Sequence, residues 1–204
     1  MRRRGFDWGQ PFVYFLALVA VAIAIVPVIY VILGGFRTTA QINEDPAGFP
    51  DPWVLSKYGQ VLASEAFWQQ ALNSSIVALA TTTGVVILGV MAAFVIARYD
   101  FRGRQFVFSL FTAGLLFPLS VAIVPLFVML KNLGLLSTLA GVVIPQVAFQ
   151  LPTTIIILVP FLRAIPAELE DAALIDGAGR FGFFRRILLP LSGPGLVTVG
   201  VLAF

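Results

Sequence analysis

Residues 11–33 read PFVYFLALVAVAIAIVPVIYVIL, 23 residues without one charge. A helix crosses a hydrocarbon core of about 30 Å with about 20 such residues, each rising about 1.5 Å. The chain holds three more charge-free stretches of that length, at about 71–97, 105–130 and 138–162. The apolar residues lie in long blocks rather than in alternation, which marks a bilayer protein rather than a large buried core. The expected fold is all-α, a polytopic bundle of transmembrane helices with four full spans. A fifth apolar segment begins near Ser192 and ends at Phe204 after 13 residues, too few to span.

Composition agrees with that reading. Of 204 residues 59% are hydrophobic and 11% charged, against roughly 25% charged in an average soluble domain. The net charge of +3 does not point to nucleic acid, because the basic residues sit in short clusters between apolar blocks, as positive-inside topology places them. With no Cys and no His, thiolate nucleophiles, histidine dyads and most zinc or haem sites are excluded. The only lysines, Lys57 and Lys131, follow no Gly-x-x-x-x-Gly pattern, so the chain carries no P-loop. No catalytic residue, metal site or cofactor is expected.

Alternating spans put Arg2, Arg3, Arg4, Arg98, Arg102, Arg104, Arg163, Arg180, Arg185 and Arg186 on one side, and Arg37, Lys57 and Lys131 on the other. Short loops rich in Lys and Arg face the cytoplasm. Residues 1–10 are therefore expected to be a cytoplasmic N-terminus, residues 34–70 an extracytoplasmic segment, and residues 163–191 a cytoplasmic loop. The first apolar run exceeds a usual signal-peptide core and has no obvious cleavage site, so a retained span is expected. Residues 37–51 read as a loop, and Trp53, Tyr58 and Trp68 as an interfacial segment.

The cytoplasmic loop includes IPAELEDAALIDGAGRFGFFRRILLPL, residues 165–191. Pro166 suits a first helical turn, and Glu168, Glu170 and Asp171 suit the positive end of a helix dipole. Gly177 is placed to stop that helix in a left-handed cap. A second helix is expected from about Gly179 to Leu189, ended by Pro190. Spacing puts Leu169, Ala172, Ala173 and Asp176 on one face and Glu168, Asp171 and Ile175 on another. The adjacent alanines offer a flat surface for a partner's backbone. Periodicity leaves two readings open, a helix pair docking on a soluble protein and an amphipathic segment resting on anionic lipid.

The loop resembles the signature of binding-protein-dependent ABC importer permeases: Glu-Ala-Ala, three residues, Gly, nine residues, then Ile-x-Leu-Pro. Asp171-Ala172-Ala173, Gly177 and Ile187-Leu188-Leu189-Pro190 stand at those intervals, with Asp in place of Glu as the one departure. Asn73-Ser74 at the start of the second span, the turn ARYDFRGR at 97–104 and the phrase PAELEDAALIDGA at 166–178 are similar to the carbohydrate-importing branch, in particular its maltose-type second permease. The resemblance implies a second permease subunit, a cytoplasmic dimer of ATP-binding cassette subunits that hydrolyses ATP, and an extracytoplasmic solute-binding protein. It implies a multi-pass protein of a bacterial plasma membrane that moves a sugar or oligosaccharide. It assigns Glu168, Asp171, Ala172, Ala173 and Gly177 to contact with the ATPase. It also implies six spans, so the sequence is expected to be incomplete at its C-terminus.

Polar residues inside spans are the candidates for a solute path: Ser120, Gln146, Gln150, Thr153 and Thr154, with Thr81, Thr82 and Thr83. Hydrogen bonding between helices is their other use. The spans hold no ionisable residue, which fits a neutral solute and disfavours an ion-coupled secondary carrier. Such a carrier, a non-transporting membrane scaffold, and a permease of the same family for a non-sugar solute are the alternatives. Pro118, Pro125, Pro145, Pro152 and Pro160 mark weak points, as static shapers or as hinges.

Overall fold

The computed structural model describes residues 9–204. Arg2, Arg3 and Arg4, with most of the segment assigned to a cytoplasmic N-terminus, lie outside the described residues. The chain divides into two compact units at Gln69 and Gln70. Helices account for its regular structure, with no strand among the described residues.

The first unit begins with α1, Gly9–Gly35, which contains the first expected span and runs through Pro27 without a break. The following segment is more ordered than its composition suggests. Thr38 caps a short helix, α2 (Thr39–Glu44), through a reciprocal capping box with Gln41. That pairing satisfies backbone donors at the helix start, and so a helix forms where a loop was expected. The guanidinium of Arg37, 3% exposed, donates to the carbonyls of Gln41, Asp45 and Pro46. Lys57 Nζ in turn donates to the Arg37 carbonyl at 2.7 Å. Lys57 belongs to α3, Ser56–Leu62. Phe36 packs against Trp53 and Tyr58, ring centroids 5.1 and 5.0 Å apart.

The second unit holds most of α4 (Glu65–Arg98), then α5 (Arg104–Gly114), α6 (Leu119–Asn132), α7 (Leu139–Arg163) and α8 (Glu168–Ile175). After these come α9 (Arg180–Phe183), a π-helical turn at Phe184–Leu188, α10 (Leu189–Leu191) and α11 (Gly193–Ala203). Both α4 and α7 are long and apolar enough to cross a membrane, and α7 stays one helix despite Pro145, Pro152 and Pro160. Thr138 starts α7 by accepting the Gly141 N–H at 3.0 Å.

The third expected span, 105–130, is not one helix. It is α5 and α6, bent 99° apart. Pro118 lacks the N–H that would pair with the Gly114 carbonyl and disfavours helical backbone at Phe117. The chain is helical again only from Leu119. The described residues thus hold three unbroken candidate spans, or five if each bent pair counts as one span.

The second loop helix differs as well. It continues through Pro190 to Leu191, and the 75° bend to α11 comes at Ser192. The helix widens ahead of the proline, with the Leu189 N–H donating to the Phe184 carbonyl five residues back. That π turn absorbs the register change that a proline otherwise forces as a break. Ser192 Oγ then donates to the Leu188 carbonyl at 2.6 Å.

A core gathers Val90, Ala93 and Ile96 of α4, Ile155, Leu158 and Leu162 of α7, Phe183, Leu188, and Val199 of α11. Close approach of α4 to α7 requires glycine at position 89. A Cβ there would lie 2.4 Å from Thr154 Cγ2. The same core takes in Ala173 of α8, so the loop at 163–191 is packed onto the ends of α4 and α7.

Candidate functional site

The first loop helix, α8, starts with Glu168, Glu170 and Asp171 in its first turn, where the dipole favours carboxylates. It ends in a full Schellman cap. Gly177 adopts φ +79°, its N–H donates to the Leu174 carbonyl at 3.1 Å, and the Ala178 N–H reaches the Ala173 carbonyl at 2.8 Å. Only a residue without Cβ takes that backbone freely. An eight-residue helix is thereby closed at its C-terminal end.

Within α8 only Glu170 and Ala173 are not exposed. Glu168, Asp171, Ala172 and Ile175 are exposed, Ile175 at 87%, and follow one another at spacings of three, one and three on one side. Ala173 is 4% exposed and turned into the core. Ala172 is exposed, whereas Ala173 packs the helix against the core of its own chain.

Glu170, which the sequence marked only as a dipole partner, occupies the inner side. Its Oε2 lies 3.9 Å from Nε of Arg98, at the end of α4, with side chains 16% and 7% exposed. Arg98 also lies over the Phe183 ring at 5.8 Å, and Arg180 over the Tyr99 ring at 4.7 Å. Phe94 completes the contact, its ring 5.2 Å from Tyr99 and 4.9 Å from Phe184. The Tyr99 hydroxyl, Arg98 Nε and Arg98 Nη2 are buried without a hydrogen-bond partner. Burial, and then the nearby Glu170 carboxylate, push the Tyr99 hydroxyl above its ordinary range, with Arg180 and Arg98 pulling the other way. Sequence spacing does not reveal this cluster, because Arg98 and Glu170 stand 72 positions apart.

The intramembrane candidates separate into two groups. Gln146 and Gln150 both line a cleft of about 730 Å³ with Leu119, Pro145, Phe149 and Phe204. Gln146 also borders a second cleft of about 400 Å³ beside Asn73 and Ser74. Its Oε1 accepts from Thr81 Oγ1 at 3.1 Å, and Gln150 Nε2 donates to the Ala203 carbonyl at 3.4 Å. Neither cleft has an ionisable lining residue. Ser120, Thr153 and Thr154 line neither: the first two are exposed and Thr154 is packed against Gly89.

Long apolar helices, with a short capped helix packed against the ends of α4 and α7, define a multi-pass membrane protein. Comparison with known proteins places it further. The family described as binding-protein-dependent transport system inner membrane component matches residues 85–204. The diacetylchitobiose uptake system permease protein NgcG of Streptomyces coelicolor is 40% identical over 182 residues, covering 89% of this chain and 60% of that protein. The sulfoquinovosyl glycerol transport system permease protein SmoH of Agrobacterium fabrum is 32% identical, covering 96% and 69%. For the trehalose transport system permease protein SugB of Mycobacterium tuberculosis the figures are 33%, 93% and 69%. A crystal structure of a bacterial ABC transporter involved in alginate import superposes with a TM-score of 0.80 at 23% identity, over 98% of this chain and 72% of that one. The chain belongs to the family of binding-protein-dependent transport system inner membrane components. It spans 60% to 69% of the length of these three relatives.

Proposed function

We propose that the protein is a membrane-spanning permease subunit of an ATP-driven importer and forms, with a second permease, the path for a sugar or oligosaccharide. ATP is hydrolysed by a separate pair of cytoplasmic subunits, and an extracytoplasmic binding protein delivers the solute. The exposed face of α8 is the observation that carries this reading. Glu168, Asp171 and Ala172 present two carboxylates and a small flat patch on a short rigid helix, and Gly177 closes its end. Such a helix transmits force by docking, since nothing in it performs covalent chemistry.

The sugar class draws support from the relatives, whose names specify diacetylchitobiose, sulfoquinovosyl glycerol and trehalose. The clefts are consistent with it. A sugar carries many hydroxyls and no charge, and the amides of Gln146 and Gln150 both donate and accept hydrogen bonds. Sidedness follows the charge asymmetry: α8 and the N-terminus face the cytoplasm and residues 34–70 the outside. The described spans carry Glu65, Arg98 and Arg163 only at their ends and no acidic or basic residue in their interiors, which argues against an ion-coupled carrier.

The test is uptake into proteoliposomes containing the complete importer, with labelled diacetylchitobiose and trehalose as probes. Accumulation that requires internal or external ATP on the α8 side supports the reading. Accumulation driven by a proton or sodium gradient without ATP overturns it.

A further inference from the structure

We propose that Arg98, Tyr99, Glu170 and Arg180 form a latch that fastens the docking helix α8 to the cytoplasmic end of α4, so that both move as one body. The inference rests on the permease reading above and names the route by which motion of α8 reaches a second span. Covalently, α8 follows α7, from Arg163 through a short connection to Glu168. At its other end it continues into α9, and neither covalent link leads directly to α4.

The link is built from contacts of different kinds. Glu170 of α8 faces Arg98 at 3.9 Å. Arg180 of α9 covers Tyr99 at 4.7 Å, and Phe94 packs against Phe184, centroids 4.9 Å apart and rings tilted by 40°. The end of α4 is itself braced, because Arg104 Nε donates to the Ile96 carbonyl at 2.8 Å. Packing alone does not account for the charges. A buried ion pair without its full set of hydrogen bonds is often no better than apolar residues of the same volume. Here Arg98 Nε, although 3.9 Å from the Glu170 carboxylate, Arg98 Nη2 and the Tyr99 hydroxyl all lack a hydrogen bond. What the charges add is a specific partner: the Glu170 carboxylate is attracted to the Arg98 guanidinium, which an apolar pair of the same volume would not provide.

The native chain has no cysteine, so spin labels can be placed at Leu174→Cys of α8 and Val95→Cys of α4, both exposed, outside the latch and off the side that carries Glu168, Asp171, Ala172 and Ile175. In the assembled importer, the label distance is expected to stay within about 2 Å between the nucleotide-free and ATP-vanadate states, the size of an ordinary interfacial helix shift. A change of more than about 5 Å, one helical turn, would mean that α8 and α4 move separately and would overturn the proposal by itself. Glu170→Gln and Arg98→Met should broaden the distribution and lower uptake per ATP hydrolysed by about tenfold, equivalent to about 1.4 kcal/mol. Combining them should cost no more than either alone, as for two members of one interaction. Arg98→Lys should restore the narrow distance, which a role in filling space would not predict. Wild-type distances and uptake per ATP in both Glu170→Gln and Arg98→Met would also overturn the latch. Failure of the permease reading looks different: the unmodified protein then shows no ATP-dependent uptake, while the label distances still report whether α8 is bound to α4.

Discussion

Gly177 is the residue whose role the sequence disclosed most fully. A glycine just after a helical run, with the left-handed backbone that a cap needs, has one structural meaning, and φ +79° confirms it. Gly177→Val places a β-branched residue in that conformation at a cost of about 1–2 kcal/mol. We expect uptake to fall about tenfold while ATP hydrolysis persists, that energy being about one decade in an equilibrium. Unchanged uptake would remove Gly177 from the coupling role. Glu170 was not legible in the same way. On a short helix with carboxylates on both faces, spacing does not say which face is buried, and the decision comes from Arg98, a distant residue. Tyr99 reports on that cluster. Its neutral form is favoured in the fold, so its contribution to stability is present below the ordinary tyrosine range and is lost as pH rises through its raised value. Subtracting the phenolate absorbance of Tyr99→Phe from that of the native protein should show one group titrating above 10.0. A midpoint at or below that value would contradict the buried, Glu170-facing position.

At the scale of elements, hydropathy located every apolar segment because length and absence of charge are local properties. Direction is not local. The segment 105–130 passes the same test as 138–162, yet one bends by 99° and the other continues through three prolines. Pro118 follows Leu115–Phe117, a turn held by backbone bonds to Thr112, Ala113 and Gly114, whereas prolines of α7 lie in a helix packed against neighbours. Pro145 is itself buried, and Pro152 packs beside Gly114. The π turn before Pro190 was invisible for a related reason, since its widening depends on how Phe183 and Leu188, both fully buried, are seated. Packing between α4 and α7 makes its own prediction. Gly89→Val would force side-chain atoms into Thr154, and overpacking of this kind costs about 1–3 kcal/mol. The purified protein should melt several degrees lower in detergent. An unchanged melting temperature would show that α4 and α7 are not in close contact there.

For the molecule as a whole, the proposed sidedness rests on counting basic residues between the apolar segments, and the proposed docking role on a motif within the loop that this count assigns to the cytoplasm. Two independent kinds of information therefore converge on α8. The solute path is less legible, because Gln146 and Gln150 are joined in one cleft while Ser120, Thr153 and Thr154 point elsewhere. Polarity inside a span marks hydrogen bonding without distinguishing a lining residue from one that binds another helix, as Thr81 and Gln146 show. The central claim is that α8 docks on an ATPase subunit. Its most direct test is co-purification of that subunit with the tagged, membrane-extracted protein, comparing the native chain with Asp171→Lys. The account predicts stable recovery of the ATPase with the native chain and its loss with the variant. Equal recovery with both, or none with the native chain, would contradict it.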